Sequence, residues 1–207
     1  MSEYKVKDFG CVTNAIVYGL DESIRRAKFP MSTDVNALNS DLTNGIISLA
    51  QSKAGAGHDN YMMGVVVQFD LSFTVKAWTE AERYHFFDIV SSQSTMHRIT
   101  KFDLDKAYSK YVDKRIVEVM KEKVAEYNDL CKDNPQQTTA AKEKYLEILY
   151  SNPTGFILTA GMTTNYRQLK TIYAQRKTHR LPEWGQFCSW IETLPRSELI
   201  TGKDLNT

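Results

Sequence analysis

Apolar residues recur along this chain with two different periods, and the clearest run has a period of two. Val65, Val67, Phe69, Leu71, Phe73 and Val75 alternate with Val66, Gln68, Asp70, Ser72, Thr74 and Lys76. That pattern predicts an antiparallel-type strand with one face buried and the other wet or turned to a ligand. Thr79-Glu80-Ala81-Glu82 follows at once and matches a capping box, so a helix is expected from about Glu80 to Ser91. Ser91-Ser92-Gln93-Ser94 would end it, because short polar side chains compete for backbone hydrogen bonds.

Farther along, Ala107, Tyr108, Tyr111, Val112, Ile116, Val119, Met120, Val124 and Tyr127 draw one apolar stripe, which predicts a long helix from Leu104 to Leu130. Asn134-Pro135 breaks it, and Thr138 to Tyr150 reads as another helix before Pro153. A further helix is expected to open at Thr163 or Thr164 and to run through Arg176. Pro182 suits a first helical position, with Trp184, Phe187, Trp190 and Ile191 as its apolar face and Pro195 as its stop; the last residues read as a polar tail. In the first sixty residues, Tyr4 to Gly10 and Cys11 to Tyr18 read as short strands and Asp21 to Lys28 as a helix. Asp41 to Gln51, with Leu42, Ile46, Ile47 and Leu49, reads as a short amphipathic helix before a flexible small-residue loop, Ser52 to Gly57. The fold class expected is α/β of the α+β type, in one domain spanning residues 1–207.

Charge narrows the function classes. The chain has 26 Lys and Arg against 25 Asp and Glu, a net charge of +1, which argues against a bulk nucleic-acid binder but allows a small anion held by local arginines. Cys11, Cys131 and Cys188 are far apart and odd in number, so neither a disulfide framework nor a zinc site is suggested. With no signal-like apolar run and no bilayer-length stretch, a cytoplasmic protein without membrane contact is expected.

Two polar clusters could carry chemistry. Arg83-Tyr84-His85 and Ser91 to Arg98 place two arginines, two histidines and several hydroxyls around one predicted helix end, a set that suits phosphate. Taken alone, a solvated helix face followed by a polar turn explains them better. The second cluster is Asn165-Tyr166-Arg167 with Arg176-Lys177-Thr178-His179-Arg180. Basic residues in a last helical turn complement the helix dipole, which accounts for Lys177, His179 and Arg180 better than for Arg176. Gly55-Ala56-Gly57 lacks the rest of a dinucleotide fingerprint, and no Walker loop, HExxH spacing or GxSxG elbow occurs. No metal is expected at His58, His85, His97 or His179. Trp184 and Trp190 read as core.

Taken together, the clusters resemble the flavin-dependent thymidylate synthases (the thymidylate synthase complementing protein family). Gly57-His58-Asp59 stands where that family has a histidine-containing loop, and Phe69 matches a phenylalanine in the following strand. The family motif RHRxxSxNExSxRY begins at Arg83, with Tyr84 and His85 in place of His-Arg. Ser94 falls one position beyond its second serine, Arg98 stands for its late arginine, and Met63 takes the place of an acidic residue. Asn165, Arg167 and Arg176 reproduce the spacing NxRxxxxxxxxR. The resemblance covers roughly the middle and final thirds of the chain.

It implies a twisted, mainly antiparallel sheet flanked by long helices, and a homotetramer. It implies FAD held by His58, Arg83, Tyr84, His85, Asn165 and Arg167. A dUMP-like nucleotide would be held by Arg83, Gln93, Ser94, Arg98 and Arg176. Arg176 would be the catalytic residue, stabilising negative charge on the uracil ring, and NADPH and methylenetetrahydrofolate would be co-substrates. The product would be a methyl or hydroxymethyl group at C5. Two other classes stay open: a degenerate relative that binds nucleotide or flavin without turnover, and an unrelated helical interaction protein. A bound yellow chromophore separates the first class from the last, and turnover separates the first two.

Overall fold

A computed structural model describes residues 3–53, 55–132 and 138–203. Asn134-Pro135, where a helix break is expected, and part of the loop Ser52 to Gly57 lie outside the described residues. Strands β1 (Glu3–Lys5) and β2 (Val12–Tyr18) lead to helix α1 (Leu20–Arg26) and, after single turns at Phe29–Met31 and Val35–Ala37, to α2 (Asn44–Ala50). A short 3-10 turn, Asn60–Gly64, precedes β3 (Val66–Thr74), which is followed by α3 (Val75–Ala81), β4 (Phe87–Ser92) and α4 (Thr95–Arg98). The last 3-10 turn, Ile99–Lys101, comes before α5 (Lys114–Leu130), α6 (Thr139–Ser151), β5 (Ile157–Asn165), α7 (Tyr166–Arg176), α8 (Pro182–Ile191) and α9 (Glu198–Thr201).

The five strands form one sheet in the order β1-β2-β3-β5-β4. β2 pairs antiparallel with both β1 and β3, so the fold class is α+β with a mainly antiparallel sheet. The register of β2 on β3 shifts between Thr13 and Ile16, where Asn14 takes a positive φ of 55°. Its side-chain amide donates to Asp70 at 2.7 Å, which gives the irregular residue a polar anchor. The alternation read in β3 is physical: Val65, Val67, Phe69, Leu71 and Phe73 are all buried.

The chain divides into two compact units, and the boundaries fall inside β3, α3, β4 and β5. The first contains residues 1–71, 80–91 and 160–207. Its core joins Phe69, Phe87, Phe187 and Trp190, with ring centroids 4.9–6.1 Å apart. The second contains residues 72–79 and 92–159 and has its own core, built on Ile99, Met120, Tyr127, Ile148 and Phe156 between α5, α6 and the segment leading into β5.

Four expectations are corrected. First, no helix runs from Glu80 to Ser91. Thr74 Oγ1 accepts from the Ala77 amide, so helix α3 starts directly at the end of β3. Thr79 then lies inside a helix, its hydroxyl donating to the Lys76 carbonyl, and cannot cap one. Phe87 to Ser92 is strand, in keeping with the β-branched pair Ile89-Val90. Second, the helix expected from Leu104 begins only at Lys114, capped by the Asp113 side chain on the Arg115 amide. Upstream, the Ala107 carbonyl accepts from Ile157 and the Ser109 amide donates to Gly155, which commits this backbone to extended pairing.

Third, Thr163 and Thr164 belong to strand β5, and the helix opens two residues later, at Tyr166. β5 was hidden because its inward residues, Ala160, Met162 and Thr164, make a faint apolar alternation. Fourth, the polar tail contains α9, where Leu199 and Ile200 are buried. Gln51 holds it by donating to the Glu198 and Leu199 carbonyls. Two more are trimmed: of Tyr4 to Gly10 only the start is strand, β1 ending at Lys5, and the helix expected from Asp41 begins at Asn44, capped by Thr43. Helices α6 and α8, the latter with Pro182 at its first turn, lie where the hydrophobic pattern puts them.

Candidate functional site

A cavity of about 370 Å³ opens in the first unit beside α7. Its position follows from how that helix begins. Asn165 is extended, with φ −138° and ψ 165°, and its side-chain oxygen accepts from the Gln168 amide at 2.9 Å. One residue thus ends β5 and caps α7. Tyr166, Leu169, Ile172 and Tyr173, three or four residues apart, turn inward and are buried. The opposite stripe, Arg167, Gln168, Lys170, Thr171, Ala174 and Gln175, lines the cavity, facing Gly55, Asp59, Met63 and Phe86.

Asp59 organises the charge. Its side chain is 5% exposed and accepts from Arg167 Nε at 3.0 Å and from Lys170 Nζ at 2.9 Å. A buried carboxylate needs such partners, since an isolated one would be strongly destabilising. Lys170 also donates to the Ala50 and Ser52 carbonyls, so its three protons are all spent on holding the 50–59 segment. Arg167 is less committed: Nη1 lies 3.5 Å from Met63 Sδ, and Nη2 makes no hydrogen bond among the described residues. Two cations against one carboxylate leave a surplus positive charge, carried by Arg167, at the cavity. Its volume is at the small end of ligand pockets, which span about 300–1,000 Å³. The residues present fit part of a flavin dinucleotide: a guanidinium for phosphate, amides and a hydroxyl for ring heteroatoms, and the apolar Phe86 and Met63 for a ring face.

Arg176 does not line this cavity. Its Nη1 donates to Glu80 Oε2 at 2.8 Å and its Nε to the Tyr84 hydroxyl at 2.7 Å. The guanidinium lies over the ring of Trp184 at 4.8 Å and over that of Tyr84 at 5.4 Å. The side chains of Glu80 and Arg176 are each only 15% exposed. Trp184 Nε1 donates to the same Glu80 oxygen at 3.3 Å, and His179 Nε2 stands 3.3 Å from it. Tyr84 passes the network on, its hydroxyl donating to Gln175 Oε1 at 2.9 Å, and Gln175 is a cavity residue.

The other candidate residues fall elsewhere. His58, Arg83 and His85 are exposed and do not line the cavity, although Asp59, next to His58, is its anchor. Gln93, Ser94 and Arg98 belong to the second unit. There Gln93 exchanges hydrogen bonds with the backbone of Thr159, and Ser94 precedes α4 without its side chain capping it. Arg98 lines a different cavity, of about 440 Å³, with His97, Lys101, Lys142 and Tyr145. Residues that sequence reasoning missed are Lys170, Gln168, Thr171, Gln175, Phe86 and Glu80. The polar stripe of α7 was visible as helical spacing; the pairings with Asp59 and Glu80, 108 and 96 residues away, were not. Burial, meanwhile, raises the thiols of Cys11 and Cys188 to about 12 and about 11, so neither serves as a nucleophile at neutral pH.

No helix among the described residues is long and apolar enough to cross a membrane. No family model and no curated sequence matches the chain. Among solved structures it is similar to the flavin-dependent thymidylate synthase ThyX from Helicobacter pylori complexed with FAD and dUMP, at 13% identity and a TM-score of 0.64, over 98% of this chain and 99% of that one. A second structure of thymidylate synthase X from Helicobacter pylori with FAD and dUMP matches at 12% identity and a TM-score of 0.64, over 90% of this chain and 94% of that one. At this identity the likeness is one of fold: the chain is built, over nearly its whole length, like a ThyX-type thymidylate synthase.

Proposed function

We propose that this chain, as a homotetramer, binds FAD and a dUMP-like nucleotide and transfers a one-carbon unit to C5 of the pyrimidine. The observation that carries this reading is the coincidence of Asn165 and Arg167, named by motif spacing, with a cavity bearing surplus positive charge. Bound reduced flavin would supply hydride. Asn165, at the strand end, would hold a ring or ribose group, and Arg167 would meet a phosphate through Nη2. Arg176 would stabilise negative charge on the uracil ring, with methylenetetrahydrofolate as carbon donor and NADPH as reductant.

A second reading is a relative that binds flavin or nucleotide without turnover. It is favoured by one feature, the enclosure of Arg176 by Glu80, Tyr84 and Trp184, which ties up the guanidinium. A visible absorption spectrum of the purified protein with FAD, repeated after dUMP, tests both readings. A retained flavin band that shifts with dUMP, together with product formation on adding NADPH and methylenetetrahydrofolate, supports the enzyme. The same band without product supports the binder. Absence of any retained flavin or bound nucleotide rejects both.

A further inference from the structure

Phe86 has a backbone that phenylalanine rarely adopts. Its φ is +58°, in the left-handed region where a side chain crowds the following carbonyl. Glycine or asparagine would make the same turn with less strain. Nor does burial explain the residue, because Phe86 is 59% exposed while its neighbour Phe87 fills the core against Phe69 and Phe187. Two contacts fix the arrangement. Thr164 Oγ1 donates to the Phe86 carbonyl at 2.7 Å, and the inward Phe87 leaves Phe86 facing out. The exposed ring lies on the wall of the Arg167 cavity, opposite the polar stripe of α7. A strained backbone presenting an unburied aromatic beside a surplus cation is a feature whose use lies in a ligand and not in the fold.

We propose that Phe86 is the stacking wall for the flavin ring: its face packs against the planar heterocycle while Arg167 takes the phosphate of the same molecule. The inference rests on the proposed flavin binding and adds the residue that recognises the ring. An electron-poor flat ring gains most from an offset aromatic partner. The pyrimidine of dUMP offers a smaller version of the same chemistry, so the experiment separates the two.

FAD and dUMP would be titrated separately into wild-type protein and the variants F86L, F86Y and F86G, following flavin fluorescence for FAD and calorimetry for dUMP. F86L is expected to weaken FAD about 10- to 100-fold, the scale of losing a stacking side chain. F86Y keeps the affinity and changes the fluorescence of the bound flavin. F86G, which suits the left-handed turn, weakens FAD as F86L does while melting no lower than wild type, so lost folding is not the cause. If wild type retains FAD and F86L binds it equally, or F86Y leaves its fluorescence unchanged, the inference fails and flavin binding stands. If F86L weakens dUMP but not FAD, the wall belongs to the nucleotide and the inference fails. If wild type binds no FAD, inference and proposed function fall together.

Discussion

The pair Glu80–Arg176 offers the most quantitative test of how the first unit is held. Replacing Glu80 with Ala removes one partner of an ion pair whose side chains are both 15% exposed. Arg176 would keep the Tyr84 hydroxyl and the Trp184 face but lose its counter-charge. Breaking a buried pair from one side costs about 3–5 kcal/mol, because the surviving charge stays desolvated. The residual exposure here argues for about 3 kcal/mol. For a chain of this length each kcal/mol moves the midpoint by about 2–4 °C, so a fall of about 6–12 °C is expected. Thermal and urea unfolding, read by circular dichroism and tryptophan fluorescence, would measure it. The decisive companion is E80A/R176A, which leaves no uncompensated charge and should recover most of the loss in a double-mutant cycle. An E80A variant within 1 kcal/mol of wild type would refute the reasoning, as would a double variant no better than E80A.

Other expectations follow from the same structure. Asp59→Ala should cost about 2–3 kcal/mol, since Arg167 and Lys170 lose their shared acceptor, and limited proteolysis within 50–59 should accelerate. Lys123 and Lys144 pull the Glu147 carboxyl down from its ordinary 4.5 to about 2. A depressed acid stabilises the fold above the ordinary value and loses that contribution as pH falls toward 2, so acid unfolding should steepen below pH 4.5. The variant K123A/K144A should flatten that limb, and an unchanged acid profile would count against the pairing. A thiol reagent at pH 8 should label the partly exposed Cys131 and spare the buried Cys11 and Cys188 until the chain unfolds; mass spectrometry of the labelled peptides decides it. F86G should gain about 0.5–1 kcal/mol, the left-handed cost of about 1–2 kcal/mol relieved less glycine's extra chain entropy, and a measured loss of stability would show that the turn is not strained.

What the sequence made legible was whatever a local period or a single residue decides. β3 declared itself through five alternating apolar positions, and α8 through Pro182 and its aromatic face. Asn165 and Arg167, which line the cavity, could be picked out because the family spacing they match lies within one short segment. Thr79-Glu80-Ala81-Glu82 misled because a capping pattern says nothing about where the preceding strand stops, and Thr74 had already started the helix. The segment 104–113 misled because its apolar residues serve extended pairing with 155–157 just as well as they would serve a helix face. Asp59 and Glu80 were out of reach for a different reason: each acts through a partner about a hundred residues away, and no local pattern records that distance.

The junction at Asn165 has a consequence for how this protein can change over time. With no loop between β5 and α7, strand and helix are geared together. Adding or deleting one residue in β5 would swap the strand's faces and turn the helix by about 100° relative to its old bearing. A deletion would then put Arg167 in the place of Tyr166 and Lys170 in that of Leu169, driving charge into the core and oil into water. Related chains are therefore free to lengthen elsewhere, but across Ile157–Arg176 their lengths should match this one residue for residue, with gaps collecting in the connections on either side.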